Sequence, residues 1–177
     1  MRSRNKIYNS DGIYFVTSTI VDWIEIFNSR EDYQILIDAI NYNIRNKNFK
    51  VYAYVLMKNH FHIICTGDNL SNILSSIKSF SAKKILKKLH EESNNTILNK
   101  LILSKKDFKN DRIFQVWQEG FYPKEILDND ELIQKIEYIH YNPVKGNYCE
   151  NIIGWEYSSA KFYESNEKSL IQIERLI

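Results

Sequence analysis

Proline, glycine, cysteine and net charge are all scarce in this chain. Two prolines and five glycines in 177 residues leave no room for a flexible linker, and no segment repeats or falls into low complexity. A single folded domain over residues 1–177 is expected, with 1–11 and 164–177 as terminal extensions. The two cysteines, Cys65 and Cys149, are far apart and form no CxxC pair. They read as reduced thiols in a cytoplasmic protein rather than as a zinc ribbon or a disulfide scaffold. No apolar run is long enough for a bilayer, and the polar, basic stretch 1–12 lacks the apolar centre of a secretory signal. A formal charge of +2 gives no overall basic field. Any affinity for nucleic acid has to come from local clusters.

What is abundant is aromatic and β-branched residues. Gly12 to Ile20, with Ile13, Tyr14, Phe15, Val16, Thr17 and Thr19, predicts a strand. Tyr33, Leu36, Ile37, Ile40 and Ile44 recur at helical spacing and predict a helix over Arg30 to Asn46. Phe49 to Met57 and Asn59 to Thr66 predict a hairpin turning at Lys58-Asn59. A second helix is expected from Asn69 to Glu92, then an irregular stretch with a short helical piece from Asn94 to Lys109. Phe114 to Leu127 reads as a strand region whose pairing Pro123 limits. In order, these elements give an α+β fold, the ferredoxin-like βαββαβ antiparallel sheet, followed by an added C-terminal helix. That fold hosts many functions and assigns none.

Chemistry is concentrated in two places. In the second hairpin strand His60 and His62 stand two residues apart, so both point to one face while Phe61 points to the other. Two imidazoles on a rigid strand can share a divalent ion, although a lone pair of histidines on a half-exposed strand needs no metal. The C-terminal helix supplies a second group. Leu132, Ile136 and Ile139 mark its buried stripe, and Pro143 predicts its end near Asn142. Tyr138 and Asn142, one turn apart, lie roughly opposite that stripe, whereas His140 lies nearer to it and reads as structural.

Taken with Phe114-Gln115-Val116-Trp117-Gln118-Glu119-Gly120-Phe121-Tyr122 and Trp155-Glu156-Tyr157-Ser158-Ser159-Ala160, these motifs resemble the single-tyrosine transposases of the HUH nuclease superfamily. They are closest to the REP-associated tyrosine transposases. The matching segments run in the family's order from about Tyr14 to Tyr163. The resemblance implies metal ligation by His60, His62 and Asn142, with Mg²⁺ or Mn²⁺ as the ion, and a nucleophilic Tyr138 that forms a 5′-phosphotyrosine. It implies a substrate of single-stranded DNA carrying a hairpin or palindromic repeat, and a possible homodimer. Lys58 replaces the family's usual proline before Asn59-His60, and Gly146-Asn147-Tyr148 departs from its usual Ala-Gly-Leu.

Residues expected to meet DNA are Lys78, Lys83, Lys84, Lys87 and Lys88 of the second helix, with Gln118 and Tyr122. Arg2, Arg4 and Lys6 could extend that path. Lysines beside a phosphoryl site would track a DNA backbone, but a lysine run on a helix is equally a solvated face. Trp23, Trp117 and Phe121 join Tyr122 as aromatic surfaces on which bases could stack, with core packing preferred for Trp117 and Phe121. Two other functions fit parts of this pattern. One is a non-catalytic nucleic-acid-binding module, for which metal and Tyr138 are dispensable. The other is a metal-dependent phosphoester hydrolase in which water attacks.

Overall fold

The structure is a computed structural model that describes residues 7, 9–105 and 113–176. Arg2, Arg4 and Lys6 lie outside the described residues. Strands β1 (Ile13–Thr19), β2 (Phe49–Leu56), β3 (His60–Gly67) and β4 (Tyr122–Ile126) form one sheet in the order β2-β3-β1-β4, with every pair antiparallel. Helices α1 (Arg30–Asn46), α2 (Leu70–Glu91) and α3 (Asn95–Leu103) fall between the strands as the βαββαβ pattern requires. Helix α4 (Asn129–Lys145) follows the last strand, and a short α5 (Ala160–Ser165) comes after it.

Alternation along the strands sorts the core into two layers. Phe61, Ile63 and Cys65 of β3 face the side packed by α1 and α2, with Leu36, Ile40, Ile73, Leu74 and Ile77. Ile64, with Val55 and Met57 from the neighbouring chain segment, faces the other side, where Leu132, Ile136 and Ile139 of α4 cover it. His60 and His62 share the parity of Ile64 and therefore lie on the α4 side. A register shift interrupts the β2–β3 pairing between Val51 and Ala53.

Local chemistry sets the helix ends. Ser29 caps α1 by accepting from the Asp32 amide, and the Asp32 carboxylate accepts from the Ser29 amide at 2.8 Å. Asp128 caps α4 through the Glu131 amide at 2.8 Å. Pro143 does not stop α4, which continues to Lys145 and ends at Gly146. A proline in the last turn forfeits only its own bond to the Ile139 carbonyl, and Gly146 and Asn147 still close the helix onto Asn142 and Val144.

Pairing over 114–127 is narrower than expected. Only Tyr122–Ile126 forms a strand, and the preceding residues contribute a single bridge, Ile20 to Trp117. Val116 and Trp117 are buried by their side chains against α2 and β3, and Gly120 takes a positive φ of 67° that breaks the extended path. Asn95–Leu103 is a nine-residue helix, so the stretch expected to be mostly irregular is mostly helical up to Leu103.

Residues after α4 return to the sheet. Leu56 donates its amide to Tyr157 O, Ser159 donates to Tyr54 O, and Glu174 donates to Val51 O, all on the free edge of β2. Ile171 is fully buried in the main core, and the Tyr54 hydroxyl meets Ser169 Oγ at 2.9 Å. Burial of Ile171 contributes about 2 kcal/mol. The C-terminal stretch thus docks on its own chain. Among the described residues, no helix is long and apolar enough to cross a membrane.

Candidate active site

Strand β3 presents His60 and His62 with ring centroids 4.9 Å apart. Each ring has one nitrogen occupied by a neighbour. Asn59 donates its Nδ2 to Trp23 O at 3.0 Å, which turns Oδ1 toward His60 Nδ1 at 2.7 Å. That oxygen only accepts, so Nδ1 of His60 carries the proton and Nε2 keeps its lone pair. His62 Nδ1 is occupied by Thr17 Oγ1 at 2.8 Å, which leaves Nε2 as the other ring nitrogen. Phe15 stacks on the His62 ring at 5.3 Å and 21°.

Burial holds both imidazoles neutral. It draws His60 below the usual histidine range, against an upward pull from a hydrogen bond with the Asn142 side chain. His62 falls to about 3, chiefly by burial, with His60 and Lys135 adding to the effect. Neutral imidazole is the form that binds metal. The Asn142 side chain therefore lies within hydrogen-bonding reach of His60.

Helix α4 supplies the remaining groups. The Tyr138 ring stands edge-on to His62 at 5.4 Å and to Phe15 at 5.8 Å, and the residue is 44% exposed. His60, His62, Tyr138 and Asn142 are therefore brought together within one chain. Among the described residues, no group of three or more His, Cys, Asp or Glu side chains is placed to hold a metal, so a third protein ligand here depends on the Asn142 amide. Two imidazoles and an amide oxygen suit a borderline or hard divalent ion with open positions for substrate.

His140 is buried on the other side of α4, its Nε2 2.9 Å from Ser159 Oγ, and burial lowers it to about 4. Ser159 also accepts from the Tyr54 amide at 3.0 Å, so this pair fastens the tyrosine helix to β2.

The expected DNA contacts divide. Lys78 Nζ donates to the carbonyls of Gln118 (2.7 Å) and Gly120, and burial draws its ammonium down to about 8. It braces the segment leading into β4. Lys88 bonds Asp32 at 2.7 Å and Glu92 at 2.9 Å, and Lys87 pairs with Glu91 at 3.5 Å. Lys83 and Lys84 are exposed. Helix α2 as a whole covers the sheet face opposite His60 and His62, so the lysine run does not line the site. Gln118 is tied to β1, its amide donating to Thr19 O at 2.8 Å.

Tyr122 fares differently. It pairs with Thr17, which itself pairs with His62, so Tyr122, Thr17 and His62 form one row across the site face, and Tyr122 is 56% exposed.

Three neighbours escaped the reading of the sequence. Thr17 and Asn59 orient the imidazoles, and Lys135 places Nζ 5.8 Å from the Tyr138 ring centre and 5.2 Å from that of Phe15. Helical spacing alone could have found Lys135, three residues before Tyr138.

No family model matches the sequence. A Haemophilus influenzae protein named as a candidate REP-associated tyrosine transposase is 23% identical over 171 residues, covering 90% of this chain and 85% of that one. A solved REP-associated tyrosine transposase bound to a REP hairpin superposes with a TM-score of 0.64. It is 21% identical and covers 100% of this chain and 94% of the other. The chain resembles the REP-associated tyrosine transposases in sequence and shares their fold. A crystal structure of a candidate transposase from Deinococcus radiodurans reaches a TM-score of 0.44 at 12% identity over 78% of this chain, too distant to bear on function.

Proposed function

We propose that this protein is a transposase-type endonuclease that cuts and rejoins single-stranded, hairpin-bearing DNA through Tyr138. The observation that carries this reading is the meeting of His60, His62, Asn142 and Tyr138 at one point on the sheet. The likeness to a chain solved with a REP hairpin supports the class of substrate.

His60, His62 and Asn142 would hold Mg²⁺ or Mn²⁺. Such an ion, when bound, would polarise a non-bridging oxygen of the scissile phosphate. The protein's own groups do the rest. The Tyr138 hydroxyl attacks phosphorus in line and forms the phenol–phosphate bond. The 3′ oxygen leaves with the electron pair of the broken bond and takes up a proton, while the phenol proton passes to solvent. The products are a 5′-phosphotyrosine and a free 3′-OH, and reversal rejoins the strand. Lys135, whose Nζ lies 5.8 Å from the Tyr138 ring centre, would add positive charge near the incoming phosphate. A tyrosine that meets the His62 of its own chain can act without a partner, so a dimer is not needed to complete the site.

The test uses hairpin oligonucleotides drawn from repeats flanking the native gene, labelled at the 5′ or 3′ end and incubated with Mn²⁺. A covalent adduct on a denaturing protein gel is expected. It should carry only the 3′-side label, vanish with chelator, and fall at least a thousandfold in Tyr138→Phe. Cleavage without adduct that survives Tyr138→Phe would give the hydrolase reading instead. Binding without cleavage would give the binding module.

A further inference from the structure

A turn with two successive left-handed residues lies beside His60. Asp22 and Trp23 are consecutive residues in the left-handed region, with φ of 47° and 56°. Neither is glycine, and for a residue as bulky as tryptophan this conformation is strained. Strain of this kind persists only where its surroundings impose it. Here the Trp23 amide donates to Ile20 O at 3.1 Å, and the Trp23 carbonyl accepts from Asn59 Nδ2 at 3.0 Å.

The consequence of this geometry is an indole that contributes little to the core. Trp23 is 58% exposed, and its ring stands edge-on to His60 with centroids 5.6 Å apart. Its other neighbours are Asp22, Glu25 and Asn28 of its own loop and Ile97 and Lys100 of α3, which border an open groove beside it. A fold that keeps a strained backbone in order to leave its largest side chain in water gains nothing in stability from doing so. Trp117 and Trp155, by contrast, pack into the two cores.

One amide joins the two features. Asn59 holds the Trp23 carbonyl with its nitrogen and the His60 ring with its oxygen, so the indole and the imidazole are fixed relative to one another.

We infer that Trp23 is a stacking platform for an unpaired nucleobase next to the phosphate that Tyr138 attacks, with Asn59 setting its distance from His60. This rests on the reading of the site as a single-strand DNA endonuclease. An aromatic face binds any base, so the platform positions the strand without reading its sequence. It would also favour unpaired substrate, because a paired base is already stacked on its neighbours.

The experiment is a cycle between protein and DNA. Affinity is measured by fluorescence anisotropy for wild type, Trp23→Ala and Trp23→Phe on a hairpin oligonucleotide with single-stranded flanks. The same hairpin is then made abasic at each flank position in turn. Trp23→Ala is expected to weaken binding of the intact strand about tenfold. It should leave binding unchanged for the strand abasic at one particular position, and Trp23→Phe should recover most of the loss. Thermal unfolding and Mn²⁺ affinity of the DNA-free Trp23→Ala and Trp23→Gly proteins should not fall, and glycine should raise the midpoint by relieving the positive φ. Three results would overturn the inference. They are an equal loss on every abasic strand, no loss on the intact one, or weakened Mn²⁺ binding, which would make Trp23 a prop for His60. Wild-type adduct formation, scored separately, tells a failure of this inference from a failure of the endonuclease reading.

Discussion

Two hydrogen bonds occupy one ring nitrogen of each histidine in the pair proposed to hold metal. Thr17 and Asn59 hold one nitrogen of each ring and leave the other facing the site, and partners of this kind commonly change metal affinity by 10- to 100-fold. Thr17→Val keeps the shape of the strand but removes the hydroxyl. Mn²⁺ affinity of the DNA-free protein, titrated by electron paramagnetic resonance, should fall about tenfold with little change in unfolding temperature. An unaltered affinity would show that His62 does not depend on Thr17. At this scale the sequence was a partial guide. His60 and His62 were legible because strand parity puts them on one face, and Tyr138 and Asn142 because helical spacing does the same. Thr17 was not, since its pairing opposite His62 depends on the register between β1 and β3, which no local pattern states. The partners of the lysines were not legible for a similar reason. Periodicity shows that Lys78 and Lys88 share a helix, but not that one meets the carbonyls of Gln118 and Gly120 and the other Asp32.

Among the elements, α1 and α2 are joined by a charge that also caps a helix. Burial by itself would raise the Asp32 carboxyl. Lys88, together with the amides of Asn28 and Ser29 and the hydroxyl of Ser29, outweighs it and holds the group below its ordinary value of 3.8. A depressed carboxyl stabilises the fold above that ordinary value, and the contribution is lost as pH falls through the lower folded value. Asp32→Asn should therefore cost about 2 kcal/mol at pH 7 in urea unfolding. The gap to wild type should close below about pH 4. A gap that stayed constant with pH would mean that the carboxylate charge contributes nothing. The elements themselves were largely readable. Arg30–Asn46 is the helix that its apolar spacing predicts, and the hairpin turns at Lys58-Asn59. The segment 114–121 was not readable, because residues buried by side-chain packing without strand partners have the composition of a strand. Pro143 misled because proline only disfavours, and does not forbid, a helical residue before it, and α4 runs three residues past Asn142.

The whole molecule is closed by residues far along the chain. The edge of β2 is covered by 157–159 and by Glu174, and Ile171 plugs the main core behind it. Ile171→Ala should lower stability by about 3 kcal/mol, measured by urea unfolding. An unpaired strand edge is a template for association, so deletion of residues 164–177 should in addition produce oligomers on size-exclusion chromatography. A deletion that stayed monomeric and equally stable would make the segment a bystander. At the other end of the sheet, β4 is short and carries Pro123, which itself discourages pairing with strangers.

That closure also sets an order of events at the ribosome. Tyr54 waits for Ser159, 105 residues downstream, and for Ser169, 115 residues downstream. Tyr138 leaves the exit tunnel before the Ser159 that fastens its helix through His140. A growing chain therefore holds every proposed catalytic group while the clasp that seats them is still being translated. On this view, a message cut short between codons 142 and 159 yields a polypeptide that contains the nucleophile but lacks the residue that seats its helix.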